Sequence, residues 1–527
     1  MTAEIARDYA RRMFERQHVP LPPLGFHVDW ADQPSRHKLY TDTVKVPLPE
    51  PFRTMPPVGI GSAAKIAAAR PAPGVPQLDV LAAMLGSYGL SGRRTEPNWN
   101  DDSHGKLRSD QAVWARPTAS GGGMYPAESY LVTGPSVGLP KGVYHYDTAH
   151  HGLDRLATTD RRAALKAATG VEADLYAVVT LRFWKNAFKY NSFSYHVVTQ
   201  DAGALLASWR LVLAAYEIPI EPVLWFDEAA VAAAIGVDGH DEAPFLVVPF
   251  GAGAVPDETP SIAAENQHDV WEKSRRVRSF ELVSQVHAAT LVGDRPRPST
   301  ELPETAVNGE PIPLPSPDPE TKDLDVRDSL RHRRSSFGLL TARPQLSRED
   351  LSWVLKATAQ TALSGTDIAS APRESAWIGQ HVLASSVAGL ERRAYRYDPV
   401  THGLIAGAPI DGGLQHLYAL TNYSIPEVAA VVVLTGRFDA MLDAYGARGY
   451  RMLSVETGQA GQTAYLAATA RGLGIGAVLG LDNLAVDRLL GIEGTGERSM
   501  LFLLLGRERA VRLGYDHSLH RYDRSPR

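Results

Sequence analysis

The sequence predicts an α+β fold that occurs twice in one chain. Three observations carry this expectation: short all-apolar strands lie between long helices, a set of motifs recurs at a nearly constant spacing, and a proline-rich stretch separates the recurrences. Tyr144-His-Tyr-Asp-Thr-Ala-His-His-Gly-Leu153 matches Tyr395-Arg-Tyr-Asp-Pro-Val-Thr-His-Gly-Leu404 at an offset of 251. Tyr195 with Asp201-Ala-Gly203 matches Tyr450 with Glu456-Thr-Gly458 at an offset of 255. Phe245–Gly251 matches Met500–Gly506 at the same offset of 255. Three matches in one order are the mark of a diverged duplication.

The elements follow from the chain in order. Residues 1–70 are proline-rich and read as a mostly irregular strap over the first copy. The first copy spans 71–290. It opens with a helix over Gln77–Tyr88, passes through a Gly-rich loop to a strand at Ser129–Val132, and turns through the Tyr-x-Tyr-Asp hairpin. An Ala-rich helix over Ala202–Tyr216 and a closing strand follow. A helix over His268–Ala289 is expected from the spacing of Trp271, Val277, Phe280, Val283 and Val286. Residues 291–325 form a linker, because 8 of the 26 residues in Arg295–Glu320 are proline and such a run is stiff and extended. The second copy spans 326–527. Its helix over Ser347–Thr358 carries Ser347 and Asp350 at capping-box spacing. A strand at Gln380–Ser385, a second hairpin, a helix over Gly458–Arg471 and a last strand complete it. Uninterrupted apolar strands between helices argue an α+β or α/β unit with a sheet buried on both faces. Two copies in one chain argue a fused pseudo-two-fold dimer and leave open pairing of fused chains into a homodimer.

Composition excludes several classes of function. The 527 residues include 54 Lys+Arg and 59 Asp+Glu, a net charge of −5, so no basic field recruits nucleic acid. Cysteine is absent, which removes disulfides, thiolate metal sites and a cysteine nucleophile. Apolar runs such as Val428–Leu434 are far shorter than the roughly 20 residues that cross a bilayer. The Met1–Arg16 start lacks the apolar core of a signal peptide. A cytoplasmic protein without membrane contact is expected. His145, His150 and His151 are placed in a hairpin turn, with no ligand spacing that predicts a metal.

Four segments carry chemistry. Arg116-Pro-Thr-Ala-Ser-Gly-Gly-Gly-Met-Tyr-Pro126 offers three glycines that let backbone approach a flat ligand, with hydroxyls at Thr118 and Ser120. Gly-rich runs are also often plain loops, and no Gly-Lys-Ser/Thr follows to make a Walker loop. Arg331-His-Arg-Arg-Ser-Ser-Phe337 suits a phosphate monoester, although basic clusters more often face solvent. Gly472-Leu-Gly-Ile-Gly476 and Arg507 form a third element; taken alone, helix capping by Gly472 and a surface arginine explain it better. Trp184-Lys-Asn-Ala-Phe-Lys-Tyr190 places a lysine beside a tyrosine among aromatics, where desolvation shifts a lysine toward acid–base work, although such a stretch is more often an ordinary amphipathic segment with a snorkelling lysine.

Taken in order, Arg116–Glu128, Gly142-Val-Tyr-His-Tyr-Asp147, Phe188-Lys-Tyr190 and Asp201-Ala-Gly203 closely resemble the SagB-type dehydrogenases, the azoline oxidases of the nitroreductase superfamily. Asp29–Tyr40 and Glu265–Trp271 are similar to the same family. Arg333-Arg-Ser-Ser336 and Gly458–Arg507 resemble the other half of a nitroreductase domain. The resemblance implies a nitroreductase-like FMN-binding fold, here duplicated in tandem as an intrachain pseudo-dimer. It implies FMN contacts from Arg116, Thr118, Ser120, Gly121, Gly122, Gly123 and Met124 of the first copy. From the second it implies contacts from Arg333, Arg334, Ser335, Gly474, Gly476 and Arg507. Lys189 and Tyr190 carry the family's catalytic pair.

The Gly-rich loop survives only in the first copy, and the Arg-Arg-Ser and terminal Gly506-Arg507 elements only in the second. One shared FMN site per chain is therefore expected. Phe337 stands where relatives place another arginine, and Ala119 where they place serine. The implied reaction is dehydrogenation of thiazolines or oxazolines in a ribosomally made peptide of the thiopeptide kind. The implied partners are an azoline-containing precursor peptide and a cyclodehydratase. Alternatives are a flavin oxidase acting on a carrier-bound or other amino-acid-derived substrate, a flavin-less peptide-docking scaffold and a general NAD(P)H nitroreductase.

Overall fold

The computed structural model describes residues 2–71, 74–95, 112–135, 138–255, 268–298, 302, 309–316, 324–373, 375–420, 422–510 and 515–520. Residues 299–301, 303–308 and 317–323 of the Pro-rich linker and residues 265–267 of the Glu265–Trp271 motif lie outside the described residues, whereas Pro311–Pro313 within the linker forms a strand of the second copy's sheet.

Each copy is an antiparallel sheet backed by helices. In the first, strands β1 (Val44–Pro47), β2 (Ala127–Thr133), β3 (Gly142–Asp147), β4 (Gly152–Ala157), β5 (Leu175–Arg182) and β6 (Glu242–Phe250) pair in the order β1-β4-β3-β2-β5-β6. In the second, β7 (Pro311–Pro313), β8 (Ile378–Ala384), β9 (Arg393–Asp398), β10 (Gly403–Pro409), β11 (Ala430–Gly436) and β13 (Arg498–Glu508) repeat that order as β7-β10-β9-β8-β11-β13. Strand β12 (Gly474–Val478) adds to β13. Every residue of β2 and β11 is buried; β11 carries the continuous apolar run Ala430–Leu434, whereas β2 also buries Glu128, Ser129 and Thr133.

The repeat extends to individual hydrogen bonds. In the two hairpins His151 and His402 share the left-handed conformation at φ 51°. Each ring faces a tyrosine hydroxyl, Tyr146 Oη at 2.9 Å and Tyr397 Oη at 2.8 Å. Asp147 and Asp398 each accept from the backbone N–H two residues on.

Two long helices, Ser194–Ala215 and Ala447–Ala470, pack against each other at the centre. They begin well before the expected Ala202 and Gly458. Burial on all sides erases the polar face that marks a helix start in sequence. The paired motifs meet at their crossing. A Cβ on Gly203 would overlap the Val455 carbonyl oxygen, and one on Gly458 would overlap that of Gln200. The recurrent glycines exist because the helices touch backbone to backbone.

The remaining expectations divide. Helix Arg348–Ala362 starts where expected, with Ser347 Oγ accepting from the Asp350 N–H at 3.1 Å. The strap is more regular than its prolines suggest. It holds a 14-residue helix, Thr2–Glu15, and a shorter one, Ile60–Ala67. The expected helix over His268–Ala289 is confined to Glu281–Thr290. Val270–Trp271 instead pairs as a strand with Leu39–Tyr40, and Trp271 is exposed rather than part of a buried stripe. His145 lies buried within β3, not in the turn, because it answers buried carboxylates on either side.

Candidate functional site

The Gly-rich loop is fastened from behind. Thr118 Oγ1 donates to Ser87 O at 2.8 Å and lies 2.6 Å from Ser208 Oγ, and the residue is fully buried. The Arg116 guanidinium donates to Arg36 O at 3.2 Å and lies 4.3 Å from the Tyr125 ring centre. Both residues anchor the loop and spend their polar atoms on protein. Asp201, on the central helix, accepts from Ser120 Oγ at 2.7 Å and from Gly121 N–H at 2.8 Å. Burial pushes its carboxyl up to about 7, against those two hydrogen bonds. Asn186 Nδ2 donates to Gly121 O at 3.1 Å, tying the loop to helix Phe183–Tyr190.

Beyond Gly121 the loop opens. Gly122 and Gly123 are exposed, at φ 64° and 67°, which an L side chain resists. A Cβ on Gly122 would overlap Tyr190 Oη and come within 2.9 Å of Lys189 Nζ, while one on Gly123 would meet nothing within 4 Å. A glycine ledge thus lies directly beside the Lys189–Tyr190 pair, with Met124, half-buried, closing its turn. Burial lowers the Lys189 ammonium and pushes the Tyr190 hydroxyl up to about 12, the nearby Asp201 charge adding to the rise. One turn earlier, buried Lys185 donates to Glu128 Oε1 at 2.5 Å. Burial lowers Lys185 to about 8 in spite of that carboxylate.

The second copy meets the loop at its base. Arg333 is buried; its Nε donates to Pro117 O at 2.7 Å and its Nη2 to Arg116 O at 3.1 Å. Gln462, on the second central helix, accepts from the Ala119 N–H at 3.0 Å and donates to Ser208 Oγ at 3.1 Å. Ser335 Oγ lies 2.9 Å from Tyr465 Oη, which accepts from the Ala477 N–H at 2.7 Å. Arg334 pairs with Glu508, and Arg507 with Asp350 at 3.1 Å. Both guanidiniums stay partly exposed, whereas Arg333 does not. Gly474 and Gly476 have packing reasons of their own. A Cβ at Gly474 would press on Leu340, at 2.6 Å, and one at Gly476 would overlap the Tyr423 hydroxyl. Phe337 lies 5.5 Å from the Tyr423 ring in a tilted arrangement.

The pseudo-symmetric corner is closed. Glu456 takes the place of Asp201, pairs with Arg373 at 2.8 Å and accepts from the Trp377 N–H at 3.1 Å. Arg373 stacks 4.5 Å from the Trp377 ring, and all three are buried. Helix Phe438–Tyr445 repeats Phe183–Tyr190, with Ala444-Tyr445 where Lys189-Tyr190 stand. One remnant escaped the sequence reading. Arg70 Nε donates to Ala371 O at 3.1 Å, mirroring Arg333 on Pro117, so the first copy keeps one arginine of that segment. Asp201, Asn186, Gln462 and Tyr465 also went unassigned. Only Asp201 had a signal, its place in the repeated Asp-Ala-Gly motif.

Known proteins share this architecture. Residues 330–507 match the Nitroreductase family model. The second copy is a nitroreductase-family domain. Over 160 residues the chain is 29% identical to the trifolitoxin-processing protein TfxB of Rhizobium leguminosarum bv. trifolii, covering 28% of this chain and 40% of that one. Over 148 residues it is 26% identical to the microcin B17-processing protein McbC of Escherichia coli, covering 26% and 54%. The chain thus spans only about half the length of these two processing proteins. It is also 26% identical over 195 residues to a provisionally assigned nitroreductase of Methanocaldococcus jannaschii, covering 36% of this chain and 94% of that one. A solved structure from Anabaena variabilis, provisionally assigned as a nitroreductase, superposes with a TM-score of 0.68 at 22% identity. It covers 96% of this chain and 99% of that one, and it establishes the shared fold of both copies.

The residues present fit a flat cofactor that carries a phosphate. The glycine ledge is open where a Cβ would fill it, and Arg334 and Arg507, each paired with a carboxylate, keep partly exposed guanidiniums. Among the described residues no cluster of His, Asp and Glu could hold a metal ion, and no helix is long and apolar enough to cross a membrane.

Proposed function

We propose that this oxidoreductase-like chain binds one FMN at the seam between its copies and dehydrogenates azoline rings of a ribosomally made peptide. The observation that carries this reading is the open Gly122–Gly123 ledge against Lys189 and Tyr190, fastened by Arg333 and Gln462 of the other copy. The ledge would line the ring system; Arg334, Ser335 and Arg507 would hold the phosphate. Bound FMN supplies the two-electron acceptor.

The chain's own residues handle the proton. Aromatising a thiazoline or oxazoline removes one hydride and one proton. Lys189 is the base, because burial already draws its ammonium toward neutrality. Burial and the Asp201 charge keep the Tyr190 hydroxyl protonated, so it donates a hydrogen bond and orients the ring. The Lys185–Glu128 pair beneath the same helix holds the lysine turn in place. The names of the trifolitoxin- and microcin-processing relatives support a peptide substrate; the azoline rings themselves call for a cyclodehydratase upstream.

Incubation with an azoline peptide tests the reading: the mass should fall by about 2 Da per ring, and the protein should absorb near about 450 nm. NADH consumption with nitroaromatics and no azoline turnover would favour a general nitroreductase instead.

A further inference from the structure

The two copies treat one corner of their sheets differently. In the first, strand register pairs Tyr130 with His145 and Arg182 with Glu242. The N-terminal strap fills that corner with Lys38. Its Nζ donates to Tyr130 Oη at 2.7 Å and to Glu242 Oε2 at 2.8 Å, and the Tyr40 ring lies 4.9 Å from it. All of these side chains but Arg182 are buried.

In the second copy the same register pairs His381 with Arg396. Arg437 and Glu497 follow one step beyond the Gly436–Arg498 pair. No described segment enters this corner. A cavity of about 400 Å³ opens there, lined by His381, Arg396, Arg437, Asp439 and Glu497. That volume lies within the range of small-molecule sites.

The acids of the cavity are already engaged. Glu497 accepts from Thr435 and lies 3.4 Å from His381 Nε2, and Asp439 pairs with Arg7 of the N-terminal helix. The arginines sense the Glu497 charge without bonding to it. Among the described residues neither Arg396 nor Arg437 donates a side-chain hydrogen bond or has an ion pair, and Arg437 Nη1 is buried without a partner. Buried donors of this kind are normally satisfied. Ala440, in the first turn of helix Phe438–Tyr445, adds the positive end of that helix to the wall.

We propose that this cavity binds a small organic carboxylate, gripped between Arg396 and Arg437. A planar two-oxygen anion matches guanidinium forks. Glu497 and Asp439 in the wall disfavour a dianion such as phosphate, and Ala394, Ile405, Leu490 and Ile492 offer apolar surface to a carbon skeleton. The inference stands apart from the flavin reading, since none of these residues belongs to the ledge or its seam.

Calorimetric titration of the full chain with benzoate, and separately with inorganic phosphate at equal ionic strength, tests it. Benzoate should bind at one saturable site per chain. Arg437→Gln and Arg396→Gln should each weaken it about tenfold or more. Arg393→Gln, on the same strand but outside the cavity and paired with Glu391, should leave it unchanged. Circular dichroism identifies any variant that fails to fold, and either arginine variant alone suffices. Absence of saturable benzoate binding, equal loss in Arg393→Gln, or tighter binding of phosphate would overturn the proposal.

Discussion

Asp201 and Glu456 occupy equivalent positions on the two central helices and hold two very different corners. Asp201 accepts from Ser120 and Gly121 and so presents a bare glycine ledge. Glu456 pairs with Arg373 and caps Trp377, which fill the corresponding space. One carboxylate position therefore serves an open corner when its loop is glycine and hydroxyl, and a sealed one when its loop is arginine and tryptophan. Duplication freed one site to become core.

That contrast can be broken from either side. The largest expected effect is on turnover. Lys189→Ala should leave flavin bound and slow azoline oxidation by roughly 10²–10⁴-fold, the usual worth of a positioned base. Unchanged single-turnover rates would remove Lys189 from the chemistry. Sealing is costly to undo. Arg373→Ala leaves the Glu456 carboxylate buried without its cation and should cost roughly 3–5 kcal/mol in chemical denaturation. Gly203→Ala or Gly458→Ala forces the central helices apart and should cost about 3 kcal/mol, with equal losses expected because the overlaps mirror each other. Arg333→Ala should cost less, about 1–3 kcal/mol, by stranding two carbonyls of the loop. Flavin retention measured alongside shows whether the loop keeps its shape.

The smallest effect is a pH dependence. Burial raises the Asp201 carboxyl to about 7 in the folded chain, above its ordinary value of 3.8. Between those values the folded state holds a proton that the unfolded state has released, so stability falls as pH rises through that window. Asp201→Asn should flatten the fall. A slope unaltered by the substitution would show that Asp201 is not its source.

Much of this architecture was legible in the sequence. The paired hairpins, the two Gly-bearing helix motifs and the closing strands all found their partners at the expected offsets, because each encodes a local or close-packed geometry. The helix starts were not legible. Ser194 and Ala447 lie inside a core with no polar face, so no periodicity marks them. The span before Glu281 misled because Val277 and Trp271 are exposed apolar residues that mimic a helical stripe. At the site, the ledge and the Lys189–Tyr190 pair come together as the motif order suggested. Arg116 and Thr118 prove to be anchors behind the loop, since polar residues flanking glycines read alike whether they face a ligand or the core. Gln462 and Tyr465 stayed hidden, because their roles exist only once the copies fold against each other.

The central claim is one shared cofactor site per chain, and flavin stoichiometry tests it most directly. Protein saturated with FMN, desalted and denatured should release about one flavin per chain, and Arg373→Ala should release no second one, since the first copy keeps only Arg70 of the arginine segment. Two flavins per wild-type chain would contradict the account, as would none.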